Sequence, residues 1–240
     1  MANHETSDIV SVSRASGASP VVLVCEHASH FIPPSLGDLG LSAKARYSHI
    51  AWDPGAMGVA LAMSHALDAT LVASNVSRLV YDCNRPPDAE DAMPGEVEAF
   101  RIPGNAGLSL ADRSARARAY YTPFRKTLAG TIAAKPDPVI VTVHSFTPVF
   151  NGLARSVEIG VLHDSDPRLA EAFLAQATGF KVERNAPYGP GDGVTHTLKE
   201  HGLAHGHLNV MIEVRNDLIQ TEAKQAQMGE ILAAWLTQAL

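Results

Sequence analysis

The chain contains short apolar runs that end at polar or turn-forming residues. Six runs have this character: Val21–Cys25, Thr70–Ser74, Val76–Asp82, Pro138–Val143, Val157–His163 and Leu208–Asp217. Several of them are nearly unbroken stretches of β-branched residues and Leu, which is typical of strands buried on both faces of a sheet. The runs therefore predict a buried central sheet.

Longer segments with a helical spacing of apolar residues lie between and after these runs. They are Ser42–His49, Ala56–Leu67, Ser109–Ala134, Arg168–Thr178 and Thr221–Leu240. Strands that alternate with helices predict an α/β fold, and 240 residues with 46% hydrophobic content can bury a large core. We predict one domain over residues 20–240, preceded by a polar, Ser-rich tail over residues 1–19 that is disordered or frayed.

Composition and charge exclude several classes of function. The formal net charge is −6, and Lys and Arg do not cluster as a nucleic-acid surface requires. No stretch approaches the roughly 20 apolar residues of a membrane span, and the first residues lack the apolar core of a signal peptide. The cysteines, Cys25 and Cys83, lie in apolar runs, which argues against a disulfide framework and favours a cytoplasmic protein. We expect neither nucleic acid nor a membrane as a partner, and composition does not indicate an oligomeric state.

Two apolar runs end in the same way, with a histidine followed by a Pro-bounded turn. Glu26 and His27 follow the first run, and His144 follows the run that begins at Pro138. If both strands belong to one sheet, their carboxyl ends bring His27 and His144 close together. The pair predicts a functional site at that edge of the sheet.

Three further groups carry candidate chemistry. Asp53 precedes Pro54 at a helix start, where it is either a helix cap or a carboxylate that contacts a bound ligand or ion. Arg78 and the pair Asn84-Arg85 flank Asp82, and guanidinium and amide groups together can hold a carboxylate, although an arginine after a strand is also a common surface residue.

Glu213 lies inside the last apolar run. Burial raises the pKa of a carboxyl group, which suits a general base or acid. The alternative is an ion pair with Arg215 or Arg78.

Other polar segments give weaker signals. Residues 86–103 and 186–193 contain Pro and Gly and predict mobile loops near the site, and the run over 186–193 does not match either phosphate-binding glycine fingerprint. A group of histidines near the carboxyl end, which we interpret as loop and helix-end residues and not as a metal cluster, comprises His196, His201, His205 and His207.

In their order along residues 21–219, the motifs resemble the N-formylglutamate amidohydrolase family. They are Glu26-His27, Asp53, Asp82-Cys-Asn84-Arg85, His144-Ser-Phe-Thr and Glu213-Val-Arg-Asn-Asp217. The resemblance implies a single α/β domain with a mixed central sheet flanked by helices, a phosphorylase/hydrolase-like fold similar to the zinc carboxypeptidases and aspartoacylases. It also implies a place in histidine degradation.

The resemblance implies one zinc ion per chain at the carboxyl edge of the sheet, with His27 and His144 as two of its ligands. The H-x-x-E spacing of the carboxypeptidase ligands is absent, because position 30 is His30. Asp53 is the first choice for the carboxylate ligand and Glu26 the second.

The resemblance also assigns roles around the metal. It implies Arg78, Asn84, Arg85 and Arg215 as substrate-binding residues and Glu213 and Glu26 as catalytic residues. The implied reaction is zinc-dependent hydrolysis of the N-formyl amide of an acidic amino acid, N-formylglutamate to formate and glutamate, with Glu213 as the general base.

Alternatives to this reaction remain open on the sequence. A related deacylase would accept another acyl group or amino acid, because pocket residues set that choice. A metal-free carboxylate-binding protein of the same fold would agree with the absent H-x-x-E spacing. A Cys25 nucleophile is disfavoured, since a thiol inside an apolar strand is inert.

Overall fold

A computed structural model describes residues 5–6 and 9–240, and the fold is built on a central sheet. The strands are β1 (Glu5–Thr6), β2 (Val10–Ser13), β3 (Val21–Cys25), β4 (Thr70–Ser74), β5 (Glu96–Val97), β6 (Phe100–Arg101), β7 (Val139–Phe146), β8 (Val149–Phe150), β9 (Leu153–Ala154), β10 (Ile159–Leu162), β11 (Val182–Arg184) and β12 (Asn209–Arg215). The α-helices are α1 (Ala43–Arg46), α2 (Ala56–Leu67), α3 (Leu110–Arg116), α4 (Thr122–Ala133), α5 (Arg168–Leu174) and α6 (Glu222–Ala239).

Within the described residues, the central sheet has eight strands in the order β1-β2-β4-β3-β7-β12-β10-β11. The four inner strands β4, β3, β7 and β12 run parallel to one another. Antiparallel pairs join β2 to β4 and β10 to β12, so the sheet is mixed. The expected single α/β domain with a mixed central sheet is confirmed.

Both faces of the sheet are covered, as the unbroken apolar runs require. Leu23 packs with α2, α5 and α6 on one face. Val22 and Val24 pack on the opposite face against α4 and the segments around residues 76–105. Successive residues of β3 therefore belong to different cores, because side chains alternate along a strand.

The segment Val76–Asp82, predicted as a strand, is instead a series of turns. Its backbone N–H groups bond to loop carbonyls: Ser77 donates to Phe31 at 2.8 Å and Arg78 to Ala51 at 3.1 Å. The apolar side chains still reach the second core, where Leu79 is 1% exposed. Burial alone produced the apolar pattern, and the prediction of a strand was wrong.

The predicted tail over residues 1–19 is also partly incorrect. Val10–Ser13 forms β2, which pairs with β4, and Gly17 and Ser19 form backbone hydrogen bonds. Residues 1–4 and 7–8 of that tail lie outside the described residues.

The remaining predicted elements are present: β3, β4 and α2 have the predicted bounds, β7 extends beyond its predicted end to Phe146, and the others are shorter by a few residues. The predicted helix over Ser109–Ala134 is continuous, but a π-helical segment, Ala117–Tyr121, separates α3 from α4. In the part of the chain that the structure describes, no helix is both long enough and apolar enough to cross a membrane.

The contact between α2 and α6 gives a test of this packing. A Cβ at buried Gly229 would meet the Ala62 side chain and come within 2.8 Å of the Val59 carbonyl oxygen, whereas a Cβ at Gly130 of α4 would meet nothing within 4 Å. Gly229→Ala should lower the free energy of unfolding by about 1–3 kcal/mol through overpacking. Gly130→Ala should raise it by up to about 1 kcal/mol through helix propensity. Urea unfolding of both variants checks the pair, and equal effects would contradict the described packing.

Candidate metal centre and active site

Three buried polar side chains converge at the carboxyl ends of β3 and β7. His27 Nδ1 lies 3.1 Å from Asp53 Oδ2 and 3.2 Å from His144 Nδ1. His144 Nδ1 lies 2.9 Å from the same Asp53 oxygen. All three residues are at most 4% exposed. The predicted neighbourhood of His27 and His144 is present.

The sheet and one loop produce this convergence. β3 and β7 are adjacent and parallel, with Val24 opposite Thr142. His27 follows Val24 by three residues and His144 follows Thr142 by two, so both histidines lie at the same edge of the sheet. The Asp53 backbone N–H donates to the His27 carbonyl at 3.0 Å, which fixes the loop against the strand end. The capping interpretation of Asp53 is wrong, because α2 begins at Ala56 with Gly55 as its N-cap residue and no side-chain cap.

The other ring nitrogen of each histidine, Nε2, contacts a second carboxylate. His27 Nε2 lies 2.7 Å from Asp82 Oδ1, and His144 Nε2 lies 3.1 Å from Glu26 Oε2. Carboxylates on the outer ring nitrogen fix the orientation and tautomer of a metal-binding histidine. Both Nδ1 atoms are left facing the Asp53 carboxylate.

This donor set fits a divalent metal ion. Among the described residues, His27, Asp53 and His144 form the group of potential ligands whose ligand atoms lie within 4.8 Å of one another. Two imidazoles and one carboxylate are the ligands of many catalytic zinc sites. Asp53 belongs to this group, whereas Glu26 contacts the outer nitrogen of His144.

Electrostatic interactions within the cluster favour protonated, positively charged histidines and ionised, negatively charged aspartates. Burial would lower the pKa of His27 and of His144, but the surrounding carboxylates outweigh it and raise both pKa values. Burial would likewise raise the pKa of Asp53 and of Asp82, yet the neighbouring cations hold both pKa values below the ordinary range. Arg78 contributes, because its guanidinium bridges Asp53 at 3.3 Å and Asp82 at 3.0 Å.

Glu213 lies beside this cluster. β12 pairs with β7 so that Glu213 is opposite His144. Its Oε2 atom is buried without a hydrogen-bond partner, and among the described residues it forms no ion pair with Arg78 or Arg215. Burial, against the opposing effect of His144 and with help from Asp53, raises the pKa of Glu213 to about 7.

With the exception of Glu26, these groups border one cavity of about 440 Å³. Its wall contains His27, Asp53, His144 and Glu213, the arginines Arg78 and Arg85, and Tyr188, Asp192 and Val194 from the loop after β11. Metal-binding groups, an unpaired buried carboxylate and guanidinium groups in one concave site are the features of a hydrolase active site.

The family model for N-formylglutamate amidohydrolases matches residues 19–220 of the chain. The chain belongs to this family. Membership supports an amide hydrolase and confirms the resemblance drawn from the motifs.

Two solved structures share the fold of this chain. The gene product Atu2144 of Agrobacterium tumefaciens is 52% identical and superposes with a TM-score of 0.94, covering 96% of this chain and 94% of that one. N-formylglutamate amidohydrolase of Ralstonia eutropha JMP134 is 18% identical, with a TM-score of 0.65 and coverage of 96% of both chains, which shows a common fold. No curated protein sequence matches the chain.

Asn84, Arg215 and Glu26, which the resemblance to the family placed in the site, contact other residues. Asn84 borders the cavity, but its amide is bonded to the backbone of Val194 and Thr197. Arg215 does not border the cavity and instead pairs with Asp217 and Glu158.

Glu26 is also outside the cavity. It is 1% exposed and lies behind His144, so it fits an orienting carboxylate and not a catalytic one. Sequence position alone does not show on which side of a histidine ring an adjacent carboxylate lies.

Two features of the site were not predicted. The first is the contact between Asp82 and His27 Nε2. The position of Asp82 between two arginines had indicated a nearby site but no role for Asp82 itself. Tyr188 lines the cavity while its hydroxyl accepts a 2.9 Å hydrogen bond from Arg155. Arg155 is stacked on Tyr188 and Phe150, 4.8 and 4.6 Å from their ring centroids, and no sequence pattern indicated this contact.

The histidines near the carboxyl end and Cys25, to which the sequence analysis gave no role in the site, do not border the cavity. His196 bonds to Tyr121, and His205 stacks on His207. Burial, with Asp53 and Glu26 nearby, raises the pKa of the Cys25 thiol well above its usual value, which agrees with an inert cysteine.

The bridge formed by Arg78 predicts a measurable loss of stability. Arg78→Met would leave the buried Asp53 and Asp82 without their guanidinium partner, and removing one member of a buried pair costs about 3 kcal/mol. The exposed Arg168–Asp166 pair is a matched control, and Arg168→Met should cost about 1 kcal/mol or less. Urea unfolding of both variants in chelator checks this, and similar losses would contradict a special role for Arg78.

Proposed function

We propose that this protein is a zinc-dependent amide hydrolase that acts on an N-formyl or related N-acyl derivative of an acidic amino acid. N-formylglutamate, giving formate and glutamate, is the first substrate to test. The observation that carries the proposal is the convergence of His27, Asp53 and His144 on a cavity that also contains Glu213. Family membership supports the reaction class.

His27, His144 and Asp53 would hold the zinc ion. When bound, zinc supplies a water of lowered pKa, about 7, and polarises the amide carbonyl. The outer carboxylates Asp82 and Glu26 would keep both imidazole rings oriented for this task.

Glu213 is the proposed general base. It borders the cavity next to the proposed ligands and its Oε2 has no other partner. It would take a proton from the attacking water and return it to the departing amide nitrogen, which must be protonated to leave. A carboxylate with these two roles works best with a pKa near the working pH, and burial opposed by His144, His27 and Arg78 brings the pKa of Glu213 to about 7.

Arg85 and Arg78 are the proposed anion-binding groups. Arg85 borders the cavity with its Nε engaged by Asp91 at 2.6 Å, and its Nη1 donates to the Asn84 carbonyl. A guanidinium held in this way presents its remaining donor edge to a substrate carboxylate. Arg78 is 29% exposed and reaches the cavity beside the proposed ligands, where it would stabilise a developing oxyanion.

The proposal makes a prediction about metal and activity. Purified protein should contain about one zinc per chain and release formate from N-formylglutamate. A strong chelator should abolish release, and zinc should restore it. His144→Ala should lose both zinc and activity, because two ligands hold the ion less tightly than three. Elemental analysis and a formate assay measure these quantities.

Two outcomes would redirect the proposal. Chelator-sensitive turnover of N-acetyl but not N-formyl amino acids would point to a related deacylase. Protein that binds no zinc and stays inactive after zinc addition would favour a carboxylate-binding protein.

The role of Glu213 is tested separately. Glu213→Gln keeps the shape of the side chain but cannot accept a proton, so kcat should fall by about 10²–10⁴-fold while the zinc content stays at the wild-type value. Glu158→Gln, a carboxylate outside the cavity paired with Arg215, should keep kcat within about twofold. Turnover of the glutamine variant near the wild-type rate would contradict the assignment.

A further inference from the structure

Asn84 is hydrogen-bonded both to the neighbouring Asp82 and to the segment 194–197, which lies more than 100 residues further along the chain. Its Nδ2 donates to the Val194 carbonyl at 2.6 Å, and its Oδ1 accepts from the Thr197 N–H at 3.0 Å. Its own backbone N–H donates to Asp82 Oδ1 at 2.9 Å. The residue is 2% exposed, so water does not compete for these bonds.

The Asp82 oxygen that accepts from Asn84 also lies 2.7 Å from His27 Nε2. A continuous chain of contacts therefore leads from the proposed metal ligand His27 through Asp82 and Asn84 to Thr197. Each link is a buried hydrogen-bonding contact, and such links are costly to break in a dry environment.

The segment held by Asn84 forms part of the cavity wall. Val194 borders the cavity, and Thr195 and Thr197 are 0% and 2% exposed. This segment follows the Gly- and Pro-rich residues 189–193, which include the exposed Gly191 and Gly193 and provide little packing. The position of the wall therefore depends on bonds such as those from Asn84.

We propose that Asn84 is a positioning residue that couples the metal ligands to the cavity wall at residues 194–197, and not the substrate-carboxylate ligand that the resemblance to the family implies. The proposal rests on the metal site of the proposed function. It does not depend on which amide is the substrate.

The coupling has a thermodynamic consequence. Metal binding restricts His27 and with it Asp82, so the arrangement in which Asn84 holds Thr197 becomes more populated. Linkage is reciprocal, and anything that releases the 194–197 segment must weaken metal binding by the same factor. A residue that only contacted substrate would show neither effect.

The first test uses the unaltered protein and the exchange of its backbone amides with deuterium. Zinc should slow exchange in a peptide covering residues 194–197 by about fivefold or more relative to chelator-treated protein, since couplings of this kind span about 5–150-fold. Exchange in α5, which packs on α6, β10, β11 and β12, should not change. Zinc that protects the His27 segment but leaves residues 194–197 unchanged would overturn the proposal.

The second test compares two buried asparagines. Asn84→Ala should raise the Kd for zinc, measured by chelator competition, by about 10-fold or more, as loss of outer-shell partners does. It should also speed exchange at residues 194–197. Asn209 is 1% exposed and donates to the His207 carbonyl from the first position of β12, so Asn209→Ala is a matched control that should keep the zinc Kd within twofold.

These measurements separate the proposal from the proposed function. A higher KM in Asn84→Ala with unchanged zinc Kd and exchange would make Asn84 a substrate ligand and overturn the coupling. If Asn84→Ala does not fold, the exchange of the wild-type protein decides. Protein that binds zinc but hydrolyses no N-acyl amino acid would lose only the substrate assignment, whereas protein that binds no zinc would lose both.

Discussion

The structure depends on keeping a group of charged side chains out of water at one edge of the sheet. Asp53, Asp82 and Glu26 are all at most 4% exposed, and so are His27 and His144. Isolated buried charges are very costly, so each of these groups must have a partner of opposite charge. The short distances within the cluster meet that requirement, and they also bring the donor atoms into the arrangement that a metal ion needs.

The surrounding fold supplies the partners from separate parts of the chain. The parallel strands β3 and β7 place both histidines, the loop before α2 provides Asp53, and the turns after β4 provide Arg78 and Asp82. Glu213 comes from the next strand, β12, and is the carboxylate of this group that borders the cavity without a hydrogen bond at Oε2. Among the described residues, Glu26 also lacks a hydrogen bond at its oxygens, but it forms an ion pair with His144 and lies outside the cavity. Ion pairing and position relative to the cavity therefore separate the orienting groups from the proposed base.

The sequence predicted the parts of the site that follow from backbone geometry. A histidine after each of two buried strands predicts proximity, because parallel strands end at the same edge. Glu213 was recognisable since a carboxylate inside an apolar run must be buried. The helices were predictable from their periodicity, although the apolar pattern of Val76–Asp82 suggested a strand where burial is achieved by turns.

The sequence did not predict the parts that depend on side-chain direction. Asn84 and Arg215 both belong to motifs of the expected type, but their partners, Val194 and Asp217, decide which way each side chain points. Glu26 is adjacent to His27 and yet contacts His144, which no spacing rule indicates. These contacts are made across the fold, so the sequence around each residue carries little information about them.

In the proposed function, His27, His144 and Asp53 together bind the catalytic metal. Anomalous diffraction at the zinc absorption edge, from crystals of the zinc-loaded protein, tests it most directly. We expect one strong anomalous peak, coordinated by the Nδ1 atoms of His27 and His144 and a carboxylate oxygen of Asp53. A peak coordinated by Glu26, or zinc bound only at the histidines outside the cavity, would contradict it.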